Sequence, residues 1–143
     1  MKRLLVILVA SLTAIAVVAA TASAGTARSP SSAKIVIRHQ TRGCHVWSLN
    51  NGAYRAVLSV TLARGGTITF VDNDVMFHKL VKTSGPAVRY VGNPKMSKIG
   101  ASTKAVFSKA GTYRFTTKAG EDYMKGVKTV GEDNVLKLSV KVA

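Results

Sequence analysis

The chain has 143 residues, of which 21 are basic and 6 acidic, so its formal net charge at neutral pH is +15. Such a length suits one domain with a real hydrophobic core and is too short for two. After residues 1–24 the basic residues are scattered singly, and neither a recognition helix nor an RNA-binding motif accompanies them. The charge therefore predicts a cationic surface for an acidic protein partner or an anionic cell envelope, and it argues against nucleic-acid binding.

The N-terminal segment has the three parts of a secretory signal peptide. Lys2 and Arg3 give a positive start, residues 4–20 are almost wholly apolar, and Ala22-Ser23-Ala24 supplies small residues for cleavage. An uncleaved anchor is the alternative, because about 17 to 20 apolar residues just span a bilayer. We expect residues 1–24 to be removed, which predicts export to the periplasm, the cell envelope or the extracellular space without a stable membrane anchor.

The remaining chain divides into a leader at residues 25–33, expected to be polar and disordered, and a folded domain at residues 34–143. Within the domain, short runs rich in branched and aromatic residues alternate with turn residues, at 35–37, 57–62, 67–71, 78–82, 104–107, 112–116 and 135–142. The strict alternation of the last run is typical of a strand with one buried face. Seven or eight short strands in this length predict an all-β sandwich or barrel.

Two connections are too long to be simple turns, at residues 39–56 and 117–134. Long ordered loops in a compact sandwich usually carry function. The first connection holds Cys44, the only cysteine of the chain, which therefore has no partner for an internal disulfide. A buried inert thiol, an intermolecular bridge and a metal ligand are the three interpretations that remain for it.

The run from Leu62 to Asp74, with its Gly65-Gly66 turn, its strand and its Asn73-Asp74 pair before His78, resembles the cupredoxin family of small blue-copper proteins. Residues 108–115 are similar to the penultimate strand of that family, and Met124 lies near the position of its axial methionine. The resemblance covers most of residues 34–143. It implies a Greek-key β-sandwich that binds copper, with His78 as the first ligand and Met124 as the axial one.

The chain departs from the family in its last ligand loop. Thr117 stands where the family has a ligand cysteine, and Gly120 stands where it has a second histidine. The missing residue types occur instead in the first long connection, as His39, Cys44 and His45. Counting strand directions places this connection and His78 at the same end of the sandwich, and the family's topology places Met124 there too. Imidazole, thiolate and thioether donors suit copper, Cu(I) especially.

Each candidate ligand also has a plainer interpretation. Cys44 suits a buried thiol and Met124 a core position, while Trp47 suits a packing role beside the site. Cys44 and His45 are neighbours, whose side chains point oppositely in an extended backbone. Both therefore reach one ion only through a turn, which Gly43 permits. Glu121 and Asp122, next to Met124, are alternative oxygen ligands.

Two functional hypotheses follow. The first is an exported copper-binding protein that acts in electron transfer or copper handling, with an acidic redox protein as its partner. The alternative is a metal-free interaction module that uses its basic face and the loop around Trp47. An enzyme is the weakest hypothesis, because the sequence lacks a nucleophile–base pattern, a phosphate loop and paired catalytic carboxylates.

Overall fold

A computed structural model of the protein describes residues 28–39, 45–119 and 136–143. The predicted signal peptide, Cys44 and Met124 lie outside the described residues. None of the described residues belongs to a helix with the length and apolarity needed to cross a membrane. They form ten strands: β1 (Ser32–His39), β2 (His45–Leu49), β3 (Val57–Leu62), β4 (Thr67–Asp72), β5 (His78–Ser84), β6 (Arg89–Val91), β7 (Lys95–Met96), β8 (Ser102–Val106), β9 (Gly111–Ala119) and β10 (Lys137–Val142).

The strands form two five-stranded sheets, which confirms the predicted all-β sandwich. One sheet has the order β2-β1-β4-β8-β6 and the other the order β3-β10-β9-β5-β7. Most neighbours are antiparallel, but β1 pairs with β4 in parallel and β3 pairs with β10 in parallel. Strands that are distant along the chain are therefore neighbours in both sheets, and each sheet depends on the whole domain for its pairing.

The core lies between the two sheets and follows from the alternation along each strand. In β4 and β10 every second residue is buried, as in the series Ile68 and Phe70 and the series Leu138, Val140 and Val142. Aromatic side chains fill the centre, where the Phe107 ring packs edge-on against Tyr113 with their centroids 4.9 Å apart. This core fixes the strand register, because a slip by one residue would turn each buried side chain to the solvent.

The structure has more strands than the seven or eight that the sequence pattern predicted. The added β2 lies within the first long connection, and β6 and β7 are short strands at sheet edges. In β2 the first four residues are all buried, so this strand shows no polar alternation that a sequence pattern would detect. Two strands are clearly longer than predicted. Strand β1 begins at Ser32, inside the predicted leader, because its parallel pairing with β4 buries Ala33. Strand β9 continues beyond residue 116 to Ala119.

Candidate metal site

Three strand ends bring the histidines of the chain to one end of the sandwich. His39 is the last residue of β1 and lies directly opposite His45, the first residue of β2. Since β4 runs parallel to β1, with Asp72 beside Ile37, the connection that follows β4 begins at the same end. His78 begins β5 at the close of that connection. This is the arrangement that the count of strand directions predicted for His39, His45 and His78.

The side chains of the three histidines surround the carboxylate of Asp74. Atom Oδ2 of Asp74 lies 3.1 Å from His45 Nδ1 and 3.2 Å from His78 Nε2. On the other oxygen, Oδ1 lies 3.8 Å from His39 Nδ1. The rings of His45 and His78 are nearly perpendicular, with their centroids 4.7 Å apart. One carboxylate thus joins residues from three separate segments of the chain.

A second carboxylate, that of Asp72, shapes the backbone that carries Asp74. Its Oδ1 accepts a hydrogen bond from the Asp74 backbone N at 3.1 Å, and its Oδ2 accepts one from the His78 backbone N at 3.1 Å. Asp74 in turn accepts a bond from the Met76 backbone N at 3.0 Å through Oδ1. Side chains that bind backbone N–H groups two residues ahead are typical of a tight turn. The two aspartates therefore fix the short connection that presents His78.

The site is buried except at His39. The residues Asp72, Asp74 and His78 are at most 1% exposed and His45 is 4% exposed, whereas the His39 side chain is 42% exposed. Burial raises the pKa of Asp72 to about 6. Burial alone would raise the pKa of Asp74 too, but hydrogen bonds from His45 and His78 outweigh it and hold that pKa below its ordinary value. Asp74 is therefore an ionised carboxylate at neutral pH.

The ionised state of Asp74 assigns the protons of the imidazoles that contact it. A carboxylate only accepts hydrogen bonds, so His45 Nδ1 and His78 Nε2 are the donors in these contacts. In a neutral imidazole the other nitrogen then carries a lone pair. In His78 this nitrogen is Nδ1, which is buried and has no hydrogen-bond partner among the described residues. A buried lone pair without a donor is a natural place for a cation.

The donor atoms lie close enough together to hold a metal ion. One ligand atom each from His39, His45 and Asp74 can be chosen so that all three lie within 4.8 Å of one another, and His78 is not part of this group. Two imidazoles and a carboxylate suit copper, zinc and non-haem iron, and a thiolate added to them favours copper or zinc. The hydrogen bond between a carboxylate and a ligating histidine is also the usual means of fixing a ligand ring.

The structure thus brings together three of the five residues predicted from the sequence as ligands. His39, His45 and His78 meet at one point, while Cys44 and Met124 lie outside the described residues, and the ligand role of all five stays a prediction. Sequence reasoning noticed Asp74 only as part of a motif and gave it no role. Its signal was the spacing Asp72, Asp74 and His78 directly after a buried strand, which places two carboxylates in one turn before a histidine. Trp47 is fully buried in the core.

No protein-family model matches the sequence, and no curated protein matches it. Among solved structures, a mutant of amicyanin in its reduced Cu(I) form at pH 4 is 18% identical, with 77% of this chain and 82% of that chain covered and a TM-score of 0.42. A purple cupredoxin from Nitrosopumilus maritimus is 16% identical, with 77% and 98% covered and a TM-score of 0.40. A rusticyanin variant is 13% identical, with 80% of this chain and 79% of that chain covered and a TM-score of 0.40.

These solved structures come from the family that the sequence motifs resemble. The structure is a sandwich of two five-stranded sheets, and these solved structures are what it is similar to.

Proposed function

We propose that this protein binds one copper ion at the cluster of His39, His45, His78 and Asp74, and that it serves in electron transfer or copper handling. The observation that carries the proposal is the meeting of every histidine in the sequence, three in all, around one buried carboxylate. The three histidines come from three separate strands, so local sequence does not account for their proximity.

The residues present fit a metal ion in charge, burial and donor type. Asp74 supplies one negative charge and orients the rings of His45 and His78 through hydrogen bonds, so that the other nitrogen of each ring would be the donor to the ion. In His78 this nitrogen is Nδ1, which is buried and has no hydrogen-bond partner among the described residues. Asp72 and Asp74 are the only residues with a carboxylate side chain in the described ranges. When bound, copper would supply a one-electron couple between Cu(II) and Cu(I). The protein would hold the ion against bulk water through the buried His45 and His78, and would leave His39 at the solvent edge as the accessible ligand.

We include Cys44 and Met124 in the proposed ligand set. Cys44 is covalently adjacent to His45, which lies in the cluster. Met124 follows Ala119 by five residues, and the backbone of Ala119 pairs with that of His78. A thiolate and a thioether would complete a site of the soft and borderline donors that copper prefers. Ligation would also explain how an exported protein keeps a single cysteine from oxidising.

The first test is the affinity of the mature protein for Cu(II) and for Cu(I), measured by competition with a chelator of known strength. We expect one tight site. We expect His39→Gln to weaken it, because the variant loses one proposed ligand. The exposure of His39 makes this variant a suitable one, since the change should leave the fold intact. A matched control is Lys34→Gln, an exposed change on the same strand five residues away. Equal affinities for these two variants, or no binding beyond that of an unrelated basic protein, would reject the proposal in favour of a metal-free module.

The thiolate ligand has its own test in the Cys44→Ser variant. Thiolate-bound Cu(II) gives a strong visible charge-transfer band, which we expect in the wild type and not in the variant. A band that persists in Cys44→Ser would exclude the thiolate and would leave a site of nitrogen and oxygen donors. The affinity measurement and the spectrum therefore separate the copper site itself from the identity of its sulfur ligand.

A further inference from the structure

Three lysines form a row across neighbouring strands of the second sheet. Lys79 on β5 lies directly opposite Lys95 on β7 and, on its other side, directly opposite Lys118 on β9. All three are exposed. Directly opposite residues in neighbouring strands have their Cβ atoms about 5 Å apart, so the three cations span roughly 10 Å. We call these three residues the lysine row.

Considered with the described residues alone, the lysine row is an electrostatically unfavourable arrangement. Like charges directly opposite each other in a sheet are destabilising. The two acidic residues of the described chain, Asp72 and Asp74, are both buried in the candidate metal site, so neither provides a counter-charge on that surface. One end of the row gains a weaker interaction, since Lys95 Nζ lies 5.2 Å from the centre of the Phe77 ring. Such a concentration of positive charge fits a surface that is completed by an acidic partner.

The position of the lysine row links it to the candidate metal site. Along β5, Lys79 directly follows His78, and the residues of the adjacent row are Met96, His78 and Ala119. Since successive residues of a strand face opposite sides, the buried His78 points inward while Lys79 points to the solvent. The lysine row therefore forms the outer border of the end of the sheet that carries His78.

From these observations we infer that the lysine row is the docking surface for an acidic protein that exchanges an electron or a copper ion with the candidate site. The identity of what is exchanged rests on the proposed function, whereas the docking itself does not. In the electron-transfer case the reduced partner loses one electron and Cu(II) gains it to become Cu(I). The row borders the buried histidine, so a partner bound there is held beside the end of the sheet where the exchange would occur.

The dimensions of the row favour a protein over other polyanions. Three charges within roughly 10 Å match a short acidic cluster on a protein surface, whereas proteins that hold nucleic acid commonly make about 6 to 10 phosphate contacts. Peripheral membrane binding usually adds an inserted apolar face. The next outward positions on β9, Thr116 and Arg114, are polar. The row and the outward positions beside it on β9 thus offer charged and polar groups to a compact partner.

The test compares metal-free variants in binding to poly-L-glutamate, used as the acidic polypeptide. One variant carries Lys79→Gln, Lys95→Gln and Lys118→Gln. The matched control removes the same charge at exposed strand positions elsewhere, with Lys34→Gln, Lys104→Gln and Lys141→Gln. We expect the row variant to bind about tenfold more weakly and the control to lose less than about threefold, with a steeper salt dependence in the wild type than in the row variant.

Further outcomes of the same comparison decide the inference. Equal losses in the two variants would overturn it, since the charge of the whole surface would then account for binding. A row variant that loses more affinity for a short DNA duplex or for phosphatidylserine vesicles than for poly-L-glutamate would also overturn it. We expect the row variant to melt at a higher temperature than the wild type at low salt, because it loses the repulsion between opposite lysines, and the difference to shrink at high salt.

The copper affinity of the same variants separates this inference from the proposed function. We expect the row variant to keep its copper affinity, because none of its lysines is a metal ligand, and His39→Gln to keep its affinity for poly-L-glutamate. A protein that binds no copper but still depends on the row for the acidic polypeptide would sustain the docking surface and reject the copper site. The reverse result would reject only the docking surface.

Discussion

Asp74 is a buried anion that two buried imidazoles stabilise through hydrogen bonds. Asp72, two residues before it, is a buried carboxylate whose hydrogen bonds are to backbone N–H groups. The two residues have equal chemistry and nearly equal burial, but only Asp74 contacts the histidine rings. Their comparison therefore separates the electrostatics of the site from the folding of the turn.

We predict that Asp74→Asn lowers the affinity for Cu(II) by about 10- to 100-fold, as the loss of a ligand or of a group that orients a ligand usually does. Asp72→Asn should lower the free energy of unfolding of the metal-free protein, because one backbone N–H loses its acceptor, and should change copper affinity much less. Chelator competition and urea unfolding of both variants measure the two effects. A larger loss of copper affinity in Asp72→Asn than in Asp74→Asn would contradict the assigned roles.

The histidines were predictable from the sequence, and Asp74 was not. His78 was recognisable from the motif around it. His39 and His45 were recognisable because the chain contains only three histidines and one cysteine, the residue types that bind copper most often. Carboxylates in an Asn-Asp turn most often cap the turn, as Asp72 does here. Only the packing of β2 against β1 brings His45 to Asp74, and that packing depends on a register that no local pattern encodes.

At the scale of secondary structure, the parallel pairing of β1 with β4 is what gathers the site. It places the ends of these strands side by side, and the antiparallel β2 returns His45 to the same point. The alternating runs predicted β3, β4, β5 and β10 closely. The short edge strands β6 and β7 escaped prediction because three and two residues are too few to show a period.

Gly85 directly follows β5, whose last residues form a bulge, and its conformation limits what can replace it. Its φ is 99°, and a methyl group there would lie 2.5 Å from the Thr112 carbonyl oxygen. Gly100 also has a positive φ, of 83°, but a methyl group there would meet no atom within 4 Å. The pair therefore separates the cost of the backbone conformation from that of the steric clash.

We predict that Gly100→Ala lowers the free energy of unfolding by about 1 kcal/mol, from its left-handed conformation alone. Gly85→Ala should cost at least about 1 kcal/mol more, because the neighbouring β9 backbone must move. Denaturant unfolding of the metal-free protein measures both. Equal costs would show that β9 yields easily, contrary to the close packing of β5 against it.

At the scale of the whole molecule, the described residues separate the two signs of charge. The described surface carries basic side chains, while the two described acidic residues are sequestered at the candidate metal site. The sequence predicted the cationic surface from composition alone, but it did not predict the lysine row, since the alignment of Lys79 with Lys95 and Lys118 depends on the pairing of three strands. A negative site inside a positive shell is suited to a cation that is delivered by, or reacts with, an acidic partner.

The all-β class was accessible from the sequence because it depends on the count and spacing of short strands. The candidate site was accessible only in part, because it depends on which strand ends meet. Three histidines in a chain of 143 residues gave a short set of candidates, and the direction of successive strands placed them at one end. The distances between the histidine nitrogens and the Asp74 carboxylate oxygens could be obtained only from the tertiary structure.

The most direct measurement of the central claim is pulsed paramagnetic resonance of the mature protein loaded with one equivalent of Cu(II), which detects the remote nitrogens of coordinated imidazoles. If the histidines hold a single ion, the spectrum will show coupling to more than one imidazole, and His39→Gln will remove one of them. A spectrum without imidazole coupling, with a single imidazole, or unchanged in His39→Gln would contradict the claim.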